Sequence, residues 1–278
     1  MSQELVSVIM PTYNAGRFLS DSIACVLNQT HKNLELLITD DCSTEEETRK
    51  ILERYSQVDP RVKVEYLKEN QGAGYARNQS IKRAQGRYIA FCDGDDRWMP
   101  DKLERQIAYM DRKSCALCST SYIICDEDGE ETGISISPER ITYGMLKRDN
   151  KIGCSTAIYD TQLLGRKFYM PTLRKRQDWA MLLTILRECK VCHAITEPLS
   201  YYRNRCDSIS SRKLSLIKYN VRVYHDILGF NILKSYLYFY FLFLPTYFLK
   251  VIKRKCDSRR YLKEKKGQSA SSFSPLFF

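Results

Sequence analysis

Strand-like and helix-like segments alternate along roughly the first 110 residues, and this alternation constrains the fold of the chain more than any other feature. Short apolar runs with the composition of buried strands cover residues 6–10, 34–39, 62–67 and 87–92. Between them apolar residues recur at helical spacing, as in 18–27. We expect Pro11 to stop the first strand, and Ser43 with Glu46 to form a capping box for the second helix. The pattern predicts an α/β fold with a mostly parallel central sheet between layers of helices.

The pattern becomes mixed after the helix that follows the fourth strand. Further elements are predicted as a strand at 116–125, a short helix at 142–148, an apolar-faced helix at 178–189, a strand at 199–203 and a helix at 211–228. These elements complete a large domain, because 278 residues suffice to bury a sizeable core.

An aromatic segment lies near the C-terminus. Residues 235–249 contain eight aromatic residues and no charge, with Lys234 and Lys250 on either side. These fifteen residues are fewer than the roughly 20 that span a bilayer, so we predict a segment that lies in the membrane interface. The alternative is a core helix that closes the domain, because aromatic runs also fill cores. Residues 267–278 are rich in serine and uncharged, and we predict a disordered tail.

The basic excess of the chain is concentrated beyond this aromatic segment. The formal net charge is +11, and residues 250–266 hold nine lysines and arginines against Asp257 and Glu264. A basic stretch beside aromatic residues suits anionic lipid headgroups better than a duplex, and no nucleic-acid-binding motif accompanies it. We therefore predict an anionic membrane surface as a partner and no nucleic acid.

Eleven cysteines and no N-terminal signal peptide predict a reducing cytoplasm with free thiols. Cys115 with Cys118 and Cys189 with Cys192 form two Cys-x-x-Cys pairs, and His193 follows the second. A haem attachment site would require export, and a shared zinc site would require a fold that joins pairs about 70 residues apart. We interpret all four as core or surface thiols.

Three carboxylates follow the fourth strand directly. Asp93, Asp95 and Asp96 lie within four residues, where their charges repel one another. Mg²⁺ and Mn²⁺ bind such oxygen ligands, commonly together with substrate phosphates. The carboxyl end of a strand in an open α/β sheet is also where ligands bind. An acidic turn would have the same composition, so this run alone leaves both interpretations open.

Four motifs occur in one order: VIMPTYN at 8–14, ITDDCST at 38–44, NQGAGYARN at 70–78 and DGDDRWMP at 93–100. Together they resemble the bacterial family 2 glycosyltransferases over about residues 4–210. The resemblance implies the GT-A fold, a UDP-sugar donor and an Mn²⁺ or Mg²⁺ ion. It also implies one domain over 1–210, with a nucleotide-binding half at 1–100 and an acceptor half at 101–210. A membrane-associating region over 211–266 would follow.

The resemblance also implies which residues bind the nucleotide: Pro11, Tyr13, Asn14, Asp41, Arg77 and Asp93. Tyr13 offers a ring for stacking on uracil and Asp41 a carboxylate for the base N–H, although a packed loop aromatic is the alternative for Tyr13. Gly72 and Gly74 permit close backbone approach at a helix N-terminus, which is an anion site unless the turn is a plain helix cap. Arg77 is expected to meet a phosphate or Asp93.

The same resemblance implies a role for each carboxylate of the acidic loop, which comprises residues 93–96. Asp93 matches the first position of the D-x-D motif and would face the ribose or a metal-bound water, and Asp95 matches the direct metal ligand. Asp96 is expected to add negative field on the acceptor side. Trp98 is expected to pack beneath the loop. Arg205 stands where the family has a histidine that completes the metal shell, so it would bind the diphosphate instead, or form a structural salt bridge.

Asp178 is the predicted general base, because 176–179 (RQDW) matches the family's Glu-Asp-Trp context at a helix start. Gln177 and Trp179 are predicted to make secondary acceptor contacts. The alternative for Asp178 is a carboxylate placed at a helix N-terminus by the dipole alone. One base and a single displacement would give inversion of the anomeric configuration.

The expected enzyme is peripheral, on the cytoplasmic face of the bacterial inner membrane. It would transfer glucose or galactose from a UDP-sugar to an undecaprenyl-diphosphate-linked acceptor such as GlcNAc-diphosphoundecaprenol. A β-1,3 linkage in O-antigen or capsule is our specific expectation. A polyprenyl-phosphate sugar synthase and a catalytically silent membrane scaffold with the same fold are the alternatives.

Overall fold

The ten strands of the chain form a single sheet in the computed structural model, which describes residues 4–205 and 213–271. The strands are β1 (Val6–Thr12), β2 (Leu34–Asp40), β3 (Val62–Tyr66), β4 (Tyr88–Phe91), β5 (Arg97–Trp98), β6 (Leu117–Cys125), β7 (Glu131–Ser135), β8 (Arg140–Thr142), β9 (Ile158–Asp160) and β10 (Val191–Arg203). Their order is β3-β2-β1-β4-β9-β6-β10-β5, with β7 beside β6 and β8 beside β10.

Helices cover the sheet and continue beyond it. They are α1 (Gly16–Leu27), α2 (Glu46–Val58), α3 (Ala73–Arg83), α4 (Lys102–Lys113), α5 (Tyr143–Arg148), α6 (Gln177–Cys189), α7 (Lys213–Arg222), α8 (Ile232–Tyr238) and α9 (Leu244–Ser271). A 3-10 turn lies at Cys154–Thr156, and π-helical turns lie at Val223–Ile227 and Phe239–Phe243. One apolar core contains Ile9, Phe91 and Trp179, and a second contains Val8, Met10 and Leu19. Since neighbouring residues of β1 point to opposite faces, the two cores lie on the two sides of the sheet.

The sheet is mostly parallel, as the sequence predicts. Strands β1 to β4 pair in parallel, as do β6 and β10. Strand β9 is antiparallel to both β4 and β6 and joins the two parallel groups. The predicted α/β fold class is therefore confirmed.

The first strand does not end before Pro11, contrary to expectation. It continues to Thr12, with Pro11 opposite Thr39 of β2. The pairing of β1 with β4 ends at Ile9, whose carbonyl accepts from Cys92 N. Alternate residues of a strand point their backbone groups to the same side, so Pro11 and Ile9 both face β4. Because β4 has ended by the level of Pro11, the missing N–H of this proline has no strand partner to lose. The proline therefore removes no ladder bond there.

The predicted capping box at the start of α2 is also wrong. The N-cap of α2 is Glu45, and its side chain makes no capping hydrogen bond to the helix backbone. Ser43 instead donates its hydroxyl to Asp40 Oδ1 at 2.5 Å and accepts from Asn14 N at 2.9 Å. A serine engaged between the ends of two strands cannot also reach back to cap the helix.

The two Cys-x-x-Cys pairs meet across neighbouring strands. Cys118 on β6 lies in register with His193 on β10, next to Cys192. Cys192 Sγ lies 3.5 Å from Ser119 Oγ. No cluster of three or more histidine, cysteine or acidic side chains suited to a metal ion occurs within the part of the chain that the structure describes.

The helices at the C-terminus form a stretch that is longer than the aromatic run. Among the described residues, Ile232–Gly267 is the one helical stretch long and apolar enough to cross a membrane, at 36 residues. The argument that fifteen residues are too few to span a bilayer therefore does not apply to this longer helical stretch. Helix α9 also continues to Ser271, so a disordered tail cannot begin at 267, and 272–278 lie outside the described residues.

This stretch has a packed side and an exposed apolar side. Phe239 and Phe243 are buried in the core beside Trp179, whose ring centroid lies 5.5 Å from that of Phe243. Exposed on the surface are Leu233, Leu237, Phe241, Phe248 and Ile252. The stretch thus closes the core, as the core-helix alternative expects, and it also presents exposed apolar surface, which the membrane prediction requires.

Candidate active site

A cleft of about 1150 Å³ opens at the carboxyl ends of β1, β2 and β4 and extends to α9. Its walls include the predicted residues Pro11, Tyr13, Asn14, Asp41, Arg77, Asp93, Asp95, Asp96, Asp178 and Arg205. The remaining two predicted site residues, Gln177 and Trp179, do not line it. The fold thus brings the ends of the first strands, the start of α6 and the C-terminal helix around one space.

Tyr13 and Asn14 follow β1 at the mouth of the cleft. Tyr13 is 48% exposed, which leaves its ring available to a planar ligand. Asn14 adopts a left-handed backbone conformation with φ of 45°, which asparagine tolerates better than most residues. Its Oδ1 accepts from the backbone N–H groups of Thr44 and Glu45 at 2.9 and 3.1 Å. Asn14 therefore holds the loop that precedes α2.

Asp41 holds the start of α3. Its carboxylate accepts from Gln71 N at 2.8 Å and from Gly72 N at 2.7 Å. Gly72 has φ of +93°, a conformation that favours glycine. Burial raises the pKa of Asp41 even though these two N–H groups oppose the shift. The backbone anion site expected at Gly72 is therefore already occupied by a carboxylate of the chain itself.

Gly74 makes a close approach, but not to a phosphate. A Cβ at this position would lie 2.9 Å from the Cγ of Gln177. The glycine lets α3 pack directly on the start of α6. Gln177 is buried to 6% exposure by this contact, so the predicted secondary contact between Gln177 and the acceptor is not supported. The pair instead joins the two halves of the domain.

Arg77 and Asp93 form a buried ion pair across the base of the cleft. Arg77 Nη2 lies 2.5 Å from Asp93 Oδ1, and the two side chains are 7% and 28% exposed. Burial acts to lower the pKa of Arg77, but the nearby Asp93 and Asp178 carboxylates help to raise it above its ordinary value. Of the two partners expected for Arg77, Asp93 is the one that it contacts in the structure.

Asp95 also faces the cleft and contacts an arginine. Its Oδ2 lies 3.2 Å from Arg205 Nη1, and its side chain is 28% exposed. Burial, and then the charge of Asp93, raise the pKa of Asp95, while Arg205 opposes the shift. Two neighbouring carboxylates that both remain accessible fit a divalent cation that prefers oxygen ligands. Arg205 supplies a positive charge rather than a metal ligand.

Asp96, the last carboxylate of the acidic loop, and the nearby Trp98 are both almost fully buried. Asp96 is 3% exposed, and its carboxylate accepts from Ser155 Oγ at 2.5 Å and from Arg203 N at 3.1 Å. The expectation that Asp96 acts towards the acceptor is therefore not supported, because its oxygens already hold the loop. Trp98 is 4% exposed and donates from Nε1 to the carbonyl of Ser155 at 2.8 Å, so the prediction that it packs beneath the loop is confirmed.

Asp178 lies in the first turn of α6, half-buried at the cleft. The residue before this helix, Arg176, has a left-handed backbone with φ of 68°. Asn150 Nδ2 donates to Asp178 Oδ2 at a long 3.5 Å. A half-buried carboxylate at a helix start, facing a cleft, has the access that a general base requires.

Trp179 does not face the cleft and is not an acceptor contact. It is fully buried, and its Nε1 donates to the carbonyl of Leu146 at 2.8 Å. In a helix, neighbouring positions point about 100° apart, so Asp178 and Trp179 face in different directions. The tryptophan fixes α6 against α5 and the C-terminal stretch.

Lys250 on α9 connects the C-terminal helix to the region of Asp178. Its Nζ lies 2.6 Å from Asp149 Oδ1 and donates to the carbonyl of Asn150 at 2.7 Å. Asp149 is 1% exposed and has Lys151 as a second partner at 3.5 Å. The contacts therefore run from α9 through 149–150 to Asp178.

Three features of the site were missed by sequence reasoning. Ser155 donates to Asp96 and accepts from Asp93 N at 3.1 Å, although no motif marks it. Arg203 donates to the carbonyls of Asp95 and Glu127 at 3.1 and 2.7 Å and thereby fixes the acidic loop. The third feature is the basic run 174–176, whose charge beside Asp178 was a usable signal. Positions 206–210, which directly follow Arg205, lie outside the described residues.

The sequence is similar to known glycosyltransferases. The model of the family described as "Glycosyl transferase family 2" matches residues 7–170. The putative teichuronic acid biosynthesis glycosyltransferase TuaG of Bacillus subtilis is 42% identical over 232 residues, which are 83% of this chain and 91% of TuaG. The Escherichia coli UDP-Glc:alpha-D-GlcNAc-diphosphoundecaprenol beta-1,3-glucosyltransferase WfgD is 39% identical over 222 residues, which are 78% of this chain and 84% of WfgD.

Solved structures share the fold at lower identity. Residues 1–349 of S. aureus TarS in complex with UDP-GlcNAc match with a TM-score of 0.67 and 21% identity, over 86% of this chain and 71% of that one. The mannosyltransferase PcManGT of Pyrobaculum calidifontis, in complex with GDP-Man and Mn²⁺, matches with a TM-score of 0.62 and 17% identity, over 99% of this chain and 82% of that one.

Proposed function

Because the chain belongs to glycosyl transferase family 2, we propose that it transfers glucose or galactose from a UDP-sugar to GlcNAc-diphosphoundecaprenol. The product would carry a β-1,3 linkage and serve O-antigen or capsule synthesis. One observation carries the proposal: a single cleft contains the Asp93–Asp95 carboxylates, the Asp178 carboxylate and a wall of the apolar-faced helix α9. In this proposal the Asp93–Asp95 carboxylates would serve the donor and Asp178 would be the base. Helix α9 would lead a lipid-linked acceptor into the same cleft.

The donor is proposed to bind between β1 and α3. The exposed ring of Tyr13 would stack on uracil, and Asp41 would accept from the N–H of the base. A carboxylate has about four lone-pair sites, so Asp41 can hold Gln71 N, Gly72 N and the base together. Pro11 and Asn14 would support this pocket, the latter by fixing the loop before α2.

Asp93 and Asp95 are proposed to hold an Mn²⁺ or Mg²⁺ ion together with the diphosphate of the donor. When bound, such an ion offsets the charge that develops on the UDP leaving group. Arg77 orients Asp93 through the ion pair at 2.5 Å. Arg205, next to Asp95, adds positive charge that favours the diphosphate at the same end of the cleft.

Asp178 is proposed to accept the proton of the acceptor hydroxyl as that oxygen attacks the anomeric carbon. Asn150, at 3.5 Å, limits the orientations that the carboxylate adopts. The proton passes from the hydroxyl to an oxygen of Asp178, and the bond to UDP breaks as the new glycosidic bond forms. A single displacement of this kind inverts the anomeric centre, so an α-linked donor yields a β-glycoside.

Membrane association is proposed to occur through the exposed apolar side of the C-terminal helices. Phe241, Phe248 and Ile252 are 72%, 60% and 59% exposed. The opposite side is fixed to the domain core through Phe239 and Phe243, which favours a helix lying in the interface over one that crosses the bilayer. An enzyme held this way on the cytoplasmic face would meet a lipid-linked acceptor at the surface.

The decisive experiment is a donor panel with a synthetic lipid-diphosphate-GlcNAc acceptor, with the product identified by mass spectrometry and NMR. We expect transfer from UDP-glucose or UDP-galactose and a β-1,3 linkage. Polyprenyl phosphate without a sugar serves as the comparison acceptor. Transfer to that compound would favour a polyprenyl-phosphate sugar synthase, and no turnover with any donor would favour a silent scaffold.

Membrane binding is tested separately by vesicle flotation. Phe241→Glu and Phe248→Glu should each reduce recovery with vesicles of mixed neutral and anionic lipid. Leu163→Glu is the matched control, because Leu163 is 56% exposed on a different part of the surface. Equal recovery of all three variants would contradict the proposed membrane face.

A further inference from the structure

Helix α9 presents an exposed apolar face directly beside a face that lines the cleft. Phe248 and Ile252 belong to the exposed face, whereas Tyr247 and Lys250 line the cleft. Leu249 belongs to both, since it is 68% exposed and also lines the cleft. A helix turns about 100° per residue, so the position four residues after Leu249 lies on the same boundary. That position is Lys253.

Lys253 and Arg254 are cations of this wall that form no ion pair with any residue that the structure describes. Both line the cleft, and neither makes an ion pair within residues 4–205 and 213–271. Their neighbours on the helix differ, because Lys250 pairs with Asp149 and Lys265 pairs with Glu131. Asp257 lines the same wall and offsets part of the positive charge of Lys253 and Arg254. The wall keeps a net positive charge, because it has two cations and one anion at these positions.

A third cation lies in the same region of the cleft. Arg176 lines it, and the Nε of Arg176 is buried without a hydrogen-bond partner among the described residues. The charge of Arg176 acts on Lys250, so the guanidinium lies near α9. A buried guanidinium nitrogen without a partner has an unmet requirement for an acceptor, and phosphate oxygens match guanidinium donors well.

We propose that Lys253 and Arg254, with Arg176 close by, bind the diphosphate of the polyprenyl-linked acceptor. This inference rests on the proposed function. Along such an acceptor, the hydrocarbon chain, the diphosphate and the sugar follow one another. Along the protein, the exposed apolar face, Lys253 with Arg254, and the cleft that contains Asp178 follow in the same order. The diphosphate would be held at the boundary while the sugar reaches the base.

Anionic headgroups of the bilayer carry similar chemistry, and the test must separate them from the acceptor. The test variant is the double substitution Lys253→Gln with Arg254→Gln. The matched control is Lys255→Gln with Arg259→Gln, which removes the same charge from exposed positions of the same helix outside the cleft. Neutral detergent micelles replace vesicles, so that bilayer charge is absent.

Each protein is assayed with two lipid acceptors, one with GlcNAc on a diphosphate and one with GlcNAc on an uncharged ether. For the diphosphate acceptor, we expect the test variant to raise KM by at least about 10- to 100-fold, the range for losing one charged hydrogen bond. Its KM for the ether acceptor and for the donor should stay within about twofold of wild type. The control should stay within about twofold throughout.

The inference is overturned if the test variant and the control have the same KM for the diphosphate acceptor, or if both acceptors are affected equally. If the assay is repeated with anionic vesicles in place of the micelles, a defect that appears only with the vesicles would assign the two cations to the bilayer instead. UDP affinity and melting temperature on the same preparation identify a folding defect. In that event Lys253→Gln and Arg254→Gln are measured singly against Lys255→Gln.

The failure of the proposed function gives a different result. If wild type transfers no sugar to the diphosphate acceptor while UDP still binds, the proposed function is wrong. Direct titration of the lipid diphosphate by fluorescence then tests the site without turnover. Weaker binding by the test variant than by the control supports the site, and equal binding refutes it.

Discussion

The two walls of the cleft are built in different ways. On the donor wall, contacts join consecutive strand–helix units: Asn14 with Thr44, Asp41 with Gln71, and Arg77 with Asp93, across 30, 30 and 16 residues. On the acceptor wall, Asp149 meets Lys250 across 101 residues, and Lys250 also donates to the carbonyl of Asn150 across 100. The donor wall therefore follows from local βα units, whereas the acceptor wall requires the whole chain to be folded.

If this division holds for function, substitutions on the donor wall should change the KM for the donor, and those on the acceptor wall should change kcat. We expect the largest effect from Asp178→Asn. The amide keeps the shape of the carboxylate but cannot accept the proton. We expect kcat to fall by about 10²–10⁴, with UDP affinity unchanged because the donor wall is intact. A helix-capping role predicts instead a loss of about 1 kcal/mol or less in stability with near-normal kcat. Turnover, UDP titration and melting temperature on one preparation distinguish the two.

Asp95→Ala should give the next largest effect, because it removes a carboxylate from the proposed metal site. We expect turnover to fall on the order of a hundredfold and the response to added Mn²⁺ to disappear. Arg205→Gln is the matched control, since it breaks the same 3.2 Å contact but leaves the carboxylate in place. It should cost less activity and retain the Mn²⁺ response. More than about a tenth of wild-type rate for Asp95→Ala at saturating donor would argue against the metal site.

Tyr13→Ala tests the donor wall alone. Stacking of a base on an aromatic ring contributes about 1–3 kcal/mol, so the KM for the UDP-sugar should rise about tenfold. The kcat and the KM for the acceptor should change little. Tyr169→Ala is the control, because Tyr169 is 47% exposed, like Tyr13, but does not line the cleft. An unchanged donor KM would remove Tyr13 from the nucleotide site.

Lys250→Met should have the smallest effect on activity, but it is the most direct test of whether the donor and acceptor walls are independent. It removes one partner of Asp149, and Lys151 at 3.5 Å remains, so the loop at 149–150 should loosen without being lost. Because Asn150 contacts Asp178, we expect a few-fold decrease in kcat with an unchanged donor KM. Lys250→Arg should restore most of the rate. A change in donor KM instead would mean that the two walls are not independent.

The donor wall was largely predictable from the sequence, for a physical reason. Strands that run parallel end at one edge of the sheet, so the residues after β1, β2 and β4 had to meet. Arg77 was expected to meet a phosphate or Asp93, and it contacts Asp93. Trp98 was expected to pack beneath the loop. The sequence could not reveal that Asp41 would occupy the start of α3, because its distance from Gln71 depends on how the units dock.

The acceptor wall was predicted less well. Asp178 lies at the cleft, but Asp96, Gln177 and Trp179 are buried and hold structure together. Residue type and spacing indicate that a carboxylate or an amide is present, whereas its direction depends on the packing of distant segments. Ser155 is the extreme case, since its contacts to Asp93, Asp96 and Trp98 span 57 to 62 residues.

Ser258 of α9 has a consequence for the solubility of the protein. Its Oγ accepts from Ile134 N at 3.0 Å and donates to the carbonyl of Ile134 at 3.2 Å, so one side chain satisfies both backbone groups of a residue in β7. Gly133 makes room, because a Cβ there would lie 2.4 Å from this hydroxyl. A β-strand with unpaired backbone groups is a template for association with other chains. A protein trimmed before α9 would therefore expose a strand edge and tend to aggregate, even with its catalytic residues complete.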